Sequence, residues 1–110
     1  MKYINKKLTI EKVAVEAISK KYGTPAYCYS FNQLKENING FKKNFKSFSP
    51  LICFAVKSNT NLSLIKEIKN FGLGADVVSM GELMIAIKAG INPRKIVFSG
   101  VGKTSNEISY

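Results

Sequence analysis

From residue 50 onward, strand-like and helix-like segments follow one another at a nearly fixed interval, and this alternation restricts the architecture more than any other feature of the chain. "PLICFAVK", residues 50–57, sets Leu51, Ile52, Cys53, Phe54, Ala55 and Val56 in an unbroken apolar run between Pro50 and Lys57. That is the pattern of a strand buried on both faces, with Lys57 as its last residue. "NLSLIKEIKNFG" then places Leu62, Ile65, Ile68 and Phe71 on one helical face and closes on Gly72. "GADVVS" predicts a second strand, "MGELMIAIKAG" a second helix ending at Gly90, and "KIVFS" a third strand after the turn at "NPR". The predicted strand ends fall at Lys57, Ser79 and Ser99, about 20 residues apart, the length of a βα unit with short loops. "SMGE", from Ser79 to Glu82, and "TSNE", from Thr104 to Glu107, match capping boxes where the alternation requires helices to begin. An α/β fold with a parallel sheet follows. Three parallel strands leave an exposed edge that is normally paired or covered, so the sequence reads as a fragment of a larger sheet.

The segment before about residue 31 lies outside this repeat. "KLTIEKV" predicts a short strand, and "EKVAVEAISKKYG" carries Val13, Ala14, Ala17 and Ile18 at helical spacing and ends at Gly23. "TPAYCYS" is a further strand candidate. From Phe31 to Phe45, the positions Leu34, Ile38, Phe41 and Phe45 form one apolar stripe on an amphipathic helix in spite of Gly40, and both phenylalanines read as core.

Composition excludes several classes of function. With 45% hydrophobic and 22% charged residues, the 110-residue chain is that of an ordinary globular protein. The net charge of +10 invites nucleic-acid binding. The lysines, however, are scattered over all the predicted helices, Arg94 is the single arginine, and the richest cluster, "FKKNFK", is interleaved with the predicted core phenylalanines. Lysine is thus the default surface residue, and no nucleic-acid partner is expected. No apolar run approaches the roughly 20 residues of a spanning helix, and "MKYINKKLTI" lacks the apolar core of a signal peptide, so a cytoplasmic protein with no membrane partner is expected. Cys28 and Cys53 both fall in predicted buried strands without a CxxC motif, and the chain has no histidine, so reduced core thiols are expected and no metal site.

Lys57 is the first candidate for chemistry. In open α/β sheets and in α/β barrels alike, functional groups collect at the carboxyl ends of the strands, where Lys57 stands. The alternative is a lysine that ends its strand and extends into water.

With "FAVKSNTN", "GLGADVVSMGEL" and "AGINPRKIVFSGVGKT" at successive strand ends, and "YGTPAYCYS" before them, the sequence resembles the diaminopimelate decarboxylases, pyridoxal-phosphate enzymes of lysine biosynthesis. "FAVKSNTN" is similar to the family's Tyr-Ala-x-Lys-Ala-Asn motif. Phe54 replaces the usual tyrosine, Ser58 the usual alanine, and Ser30 a common aspartate. The resemblance implies an alanine-racemase-like (β/α)8 TIM barrel, with residues 31–110 forming its first, incomplete βα units and residues 1–30 contributing to a second, β-rich domain. It makes Lys57 the residue that forms the Schiff base with pyridoxal 5'-phosphate, its amine exposed for reaction by desolvation at a dry barrel mouth. It places Asp76 close to the cofactor and its lysine, the other reading being a strand-start aspartate bonded to neighbouring backbone. Asn59 lies near enough to give the cofactor a hydrogen bond, or with Asn61 only caps the next helix. Ser79 and Glu82 are read as a helix cap, and "GVGK", 100–103, as a tight loop rather than a phosphate loop, with the direction of Lys103 left open. On the family's pattern the phosphate, pyridine and substrate ligands lie downstream, so this segment alone is expected to be inactive. The implied reaction of the parent protein converts meso-2,6-diaminopimelate to L-lysine and carbon dioxide, in a homodimer. Decarboxylases of ornithine or arginine, and a non-catalytic pyridoxal-phosphate carrier on the same barrel, are the nearest alternatives; a basic scaffold or nucleic-acid binder is a more distant one.

Overall fold

The computed structural model describes residues 1–110 and divides them into two units, Met1–Ser47 and Phe48–Tyr110. In the first unit, β1 (Lys2–Ile4) and β2 (Lys7–Ile10) form an antiparallel hairpin in which Tyr3 faces Leu8. Its two loop residues, Asn5 and Lys6, both take positive φ, as a two-residue type I′ turn demands. β2 pairs in turn with β3 (Val13–Ala14), and the buried Thr9 hydroxyl donates to the Lys2 carbonyl oxygen at 2.9 Å. The helix predicted from Glu11 begins only at Val15, because the ladder with β2 claims Val13 and Ala14; α1 (Val15–Tyr22) then ends at Gly23, φ 80°, as expected.

Two expectations for this unit are corrected. Residues 24–30 pair with no neighbouring strand, so "TPAYCYS" forms none, and Cys28 is exposed rather than a core thiol. α2 (Phe31–Asn44) forms over the predicted span, capped by the Ser30 hydroxyl, which accepts from the Gln33 amide at 3.1 Å. Its apolar stripe is only half used. Ile38 is buried and Leu34 half-buried, but Phe41 and Phe45 are exposed and stack on each other with centroids 4.7 Å apart. Helical spacing put the two rings on one face, and they satisfy it by covering each other.

The second unit realises the alternation. Its elements are β4 (Cys53–Ala55), α3 (Leu62–Asn70), β5 (Gly74–Val77), α4 (Met80–Lys88), β6 (Ile96–Phe98) and α5 (Ser105–Ser109). The strands form a parallel sheet in the order β4-β5-β6, with Ala55 opposite Asp76 and Asp76 opposite Val97. Successive residues of a strand face opposite sides, so the register fixes two faces. Val56, Ala75 and Val77 lie on one and are fully buried with Ile65 of α3 and Ala86 of α4; Phe54, Ile96 and Phe98 pack against them. The fully buried Val56, Ile65 and Val77 side chains each contribute about 1.5–3 kcal/mol. The other face carries Cys53, Ala55, Gly74, Asp76 and Val97, and Val97 is half exposed. β4 is therefore an edge strand buried on one face, shorter than the predicted run, and Leu51 is exposed.

Gly74 is where the sheet is tightest. A Cβ there would collide with the Lys95 carbonyl oxygen and lie 2.9 Å from Cys53 Sγ, whereas one at Gly40, within α2, would meet nothing within 4 Å. Gly74→Ala is therefore expected to destabilise the protein by about 1–3 kcal/mol through overpacking, and Gly40→Ala to stabilise it by about 1 kcal/mol through helix propensity. Urea denaturation of the two variants beside the wild type checks both signs.

Candidate active site at the carboxyl ends of the strands

β4 runs directly into a single 3-10 turn, Val56–Ser58, so Lys57 sits in a turn just past the strand rather than as its last residue. The turn has local causes: the Ser58 hydroxyl donates back to the Ala55 carbonyl oxygen at 2.8 Å, and the Asn59 amide to that of Val56 at 3.0 Å. Val56 is fully buried and anchors the turn on the core side, while Lys57 is exposed. The expected desolvated setting is thus not what surrounds Lys57 in this chain.

Asn61 caps α3, its side-chain oxygen accepting from the Ser63 and Leu64 amides at 2.9 and 3.3 Å. The Asn59 side-chain oxygen accepts from the Asn61 amide at 2.9 Å and so braces that cap. Asp76 is the third residue of β5, and its Oδ1 accepts from the Ser99 hydroxyl at 2.5 Å. The structure thus joins it to a side chain of the next strand, where the sequence offered a backbone group or Lys57. Cys53 stands on the same face, and its thiol is pushed up in pKa by burial first and by the Asp76 charge second. Its sulfur lies 3.8 Å from the Lys95 carbonyl oxygen. A protonated, half-buried thiol of this kind is a packing group rather than a nucleophile.

Both predicted helix caps form. The Ser79 hydroxyl accepts from the Glu82 amide at 3.3 Å, but the Glu82 carboxylate returns to the Val78 amide, one residue before the cap, at 3.0 Å. At α5 the box is complete: Glu107 accepts from the Thr104 amide at 2.8 Å and from its hydroxyl at 3.0 Å, and the Thr104 hydroxyl accepts from the Glu107 amide. The other Glu107 oxygen accepts from the Met80 amide at 3.3 Å, which ties the start of α5 to the start of α4. Between them "GVGK" is a tight loop, with Lys103 donating to the Gly100 carbonyl oxygen at 2.7 Å and lying over the Phe98 ring at 5.2 Å. Lys103 is thereby turned onto its own loop.

Asp76 and Ser99 thus meet towards the carboxyl ends of β5 and β6, and Lys57 stands in the turn after β4 at the same end of the sheet, the end where an α/β protein collects its functional groups. Residues 31–110 match the family model described as "pyridoxal-dependent decarboxylase, pyridoxal binding domain", and the chain belongs to that family. It is 50% identical over 93 residues to a diaminopimelate decarboxylase of Helicobacter pylori, covering 84% of this chain and 23% of that protein. Among solved structures, a diaminopimelate decarboxylase from M. jannaschii superposes with a TM-score of 0.93 at 34% identity, over 98% of this chain and 26% of the other. A Helicobacter pylori diaminopimelate decarboxylase complexed with L-lysine superposes with a TM-score of 0.80 at 45% identity, over 84% of this chain and 24% of the other. The chain spans about a quarter of the length of the curated relatives it matches. No helix is long and apolar enough to cross a membrane.

The Glu107 hydrogen bonds favour its charged form and hold its carboxyl below the usual carboxylate range, the Thr104 amide contributing most. A depressed pKa stabilises the fold above the unfolded value, and the stabilisation is lost as pH falls through the folded one. Glu107→Gln is therefore expected to be less stable than the wild type at neutral pH and to converge on it below about pH 4. Urea midpoints measured across that range check the convergence.

Proposed function

We propose that the full-length protein is a pyridoxal-phosphate-dependent decarboxylase that converts meso-2,6-diaminopimelate to L-lysine and carbon dioxide, with Lys57 as the residue to which the cofactor attaches. The observation that carries the reading is the exposed Lys57 amine at the carboxyl end of β4, beside the strand that bears Asp76, inside the segment matched by the pyridoxal-binding model. The names of the relatives, and the L-lysine held by one of them, support the substrate and product.

The residues present fit the cofactor. Its aldehyde needs a primary amine, which Lys57 supplies, and the residue paired with Asp76 on β4 is only an alanine, Ala55, with the Asp76 carboxylate itself half-buried. Lys57 would act as the neutral amine, since an ammonium group has no lone pair to offer. Asp76 would hold a positive group in place beside it. Asn59, whose side-chain oxygen is committed to Asn61, would offer its amide NH2 as donor. When bound, pyridoxal phosphate supplies an electron sink for the pair left as carbon dioxide departs. In this reading the β4-β5-β6 sheet is the start of a (β/α)8 barrel of the alanine-racemase type, residues 31–110 belong to the barrel, and residues 1–30, with β1–β3, serve a second, β-rich domain. A homodimer in the cytoplasm completes the proposal.

Borohydride reduction of the cofactor-loaded full-length protein is expected to leave the phosphopyridoxyl mass on the peptide that contains Lys57. Lys57→Ala should remove that label and lower carbon dioxide release on the order of a thousandfold or more. Diaminopimelate should show the highest kcat/KM when compared with ornithine and arginine. A preference for ornithine would move the protein to a neighbouring specificity, and labelling without carbon dioxide release from any of the three would make it a carrier.

A further inference from the structure

We propose that Ser99 is a positioning residue whose hydroxyl fixes the orientation of the Asp76 carboxylate towards Lys57. The proposal rests on the reading of Lys57 and Asp76 given above. An ionised carboxylate only accepts hydrogen bonds, so the Ser99 hydroxyl donates to Asp76 Oδ1 across 2.5 Å. Rotation about the terminal torsion of an aspartate is broad and roughly two-fold, and a donor held at one side sets the plane of the carboxylate. Oδ2 is then the acceptor left for a cation that comes from the opposite strand.

The neighbouring strand carries such a cation in the turn just past its end. Asp76 lies between Ala55 on β4 and Val97 on β6. Ser99 follows Val97 by two residues along the ladder, and Lys57 lies in the 3-10 turn that follows Ala55, so serine and lysine stand just past the carboxyl ends of the strands on either side of Asp76. Ser99 is held there firmly. Its amide donates to the Val77 carbonyl oxygen at 2.9 Å, which extends the ladder past β6. Gly100, the next residue, is buried so closely against the Val78 carbonyl oxygen that a Cβ would collide with it. Lys103 then closes the loop on the Gly100 carbonyl oxygen at 2.7 Å, and Glu107 ties the following helix to Met80.

Stability does not explain the pair. Ser99 is exposed and Asp76 only half-buried, and hydrogen bonds open to water add little to folding because water replaces them. The effect of losing the hydroxyl should therefore fall on the site and not on the fold.

The test uses Ser99→Ala, Ser99→Thr, Asp76→Asn and the double variant Asp76→Asn/Ser99→Ala in the full-length protein. Ser99→Ala is expected to leave the thermal midpoint of the apoprotein unchanged and to slow two processes roughly tenfold, the loss expected of one charge-assisted hydrogen bond. One is attachment of pyridoxal phosphate to the apoprotein, followed by the growth of its visible absorbance; the other is kcat, with KM changed less than about twofold. Ser99→Thr, which keeps the hydroxyl, should restore both, and Ser99→Ala should add nothing in the Asp76→Asn background. A Ser99→Ala protein that attaches cofactor and turns over normally while Asp76→Asn is impaired overturns the role of Ser99 alone. That role is also overturned if the threonine variant is as slow as the alanine one, or if the apoprotein midpoint drops. An Asp76→Asn protein with wild-type attachment and turnover instead overturns the assignment of Asp76, and the Ser99 proposal falls with it.

Discussion

The second unit depends on how closely β5 is held between its neighbours. At Gly74 the strand has no room for even one carbon beyond Cα, because the Lys95 carbonyl oxygen and Cys53 Sγ occupy that space, and at Gly100 the chain after β6 closes equally tightly on Val78. These two contacts fix the register, and the register decides which residues face the helices. A slip of one residue would exchange the faces, taking Asp76 under α3 and α4 and bringing Val77 out. Val77 would then lose its burial, and an ionised carboxylate in a core without a partner carries a penalty of many kcal/mol. Steric fit and the partition of charge therefore select the same alignment.

Much of this unit is legible in the sequence because short-range signals agree there. The apolar spacing of Leu62, Ile65 and Ile68, the caps at Asn61, Ser79 and Thr104, and the positive-φ glycines at 72 and 90 each mark a boundary by local physics, and the elements form at those boundaries. Where the sequence misleads, the deciding information is not local. An apolar run shows that a segment is to be covered, but not how many of its residues find a ladder partner; "PLICFAVK" therefore yields a strand of only Cys53–Ala55, followed by a turn. "TPAYCYS" has strand composition without a strand to pair with, and Phe41 and Phe45 have core spacing without a surface to bury them beyond each other.

Of the candidate site, the position of Lys57 could be read to within a residue or two, and the helix-capping roles of Asn61, Ser79 and Glu82 followed from their spacing. The Asp76–Ser99 contact could not be read in this way. Both residues were placed near strand ends, but whether they share a face depends on register between strands about 20 residues apart, and a one-residue difference in loop length would separate them. A signal was present in "FSG": a serine between the last buried aromatic of a strand and a glycine continues the ladder on the face opposite that aromatic. Only the pairing of Asp76 with Val97 shows whose side chain it meets there.

Charge at this end of the sheet is allotted with little to spare. The unit has four acidic residues, Glu67, Asp76, Glu82 and Glu107. Glu67 lies on α3 and accepts from Asn70. Glu82 and Glu107 both stand at helix starts, where backbone amides meet them: Val78 on one oxygen of the first, Thr104 and Met80 on the two oxygens of the second. Carboxylates so placed answer the unpaired amides and the positive end of the helix dipole. Asp76 differs because it is in a strand, where the ladder already satisfies the neighbouring amides, and its partner is a hydroxyl that occupies one oxygen. It is accordingly a carboxylate of this sheet with one oxygen left to meet another donor. The difference follows from secondary structure before any ligand is considered, since acids at helix starts are drawn to unpaired backbone amides, whereas an acid on the open face of a parallel strand meets side chains of its neighbours.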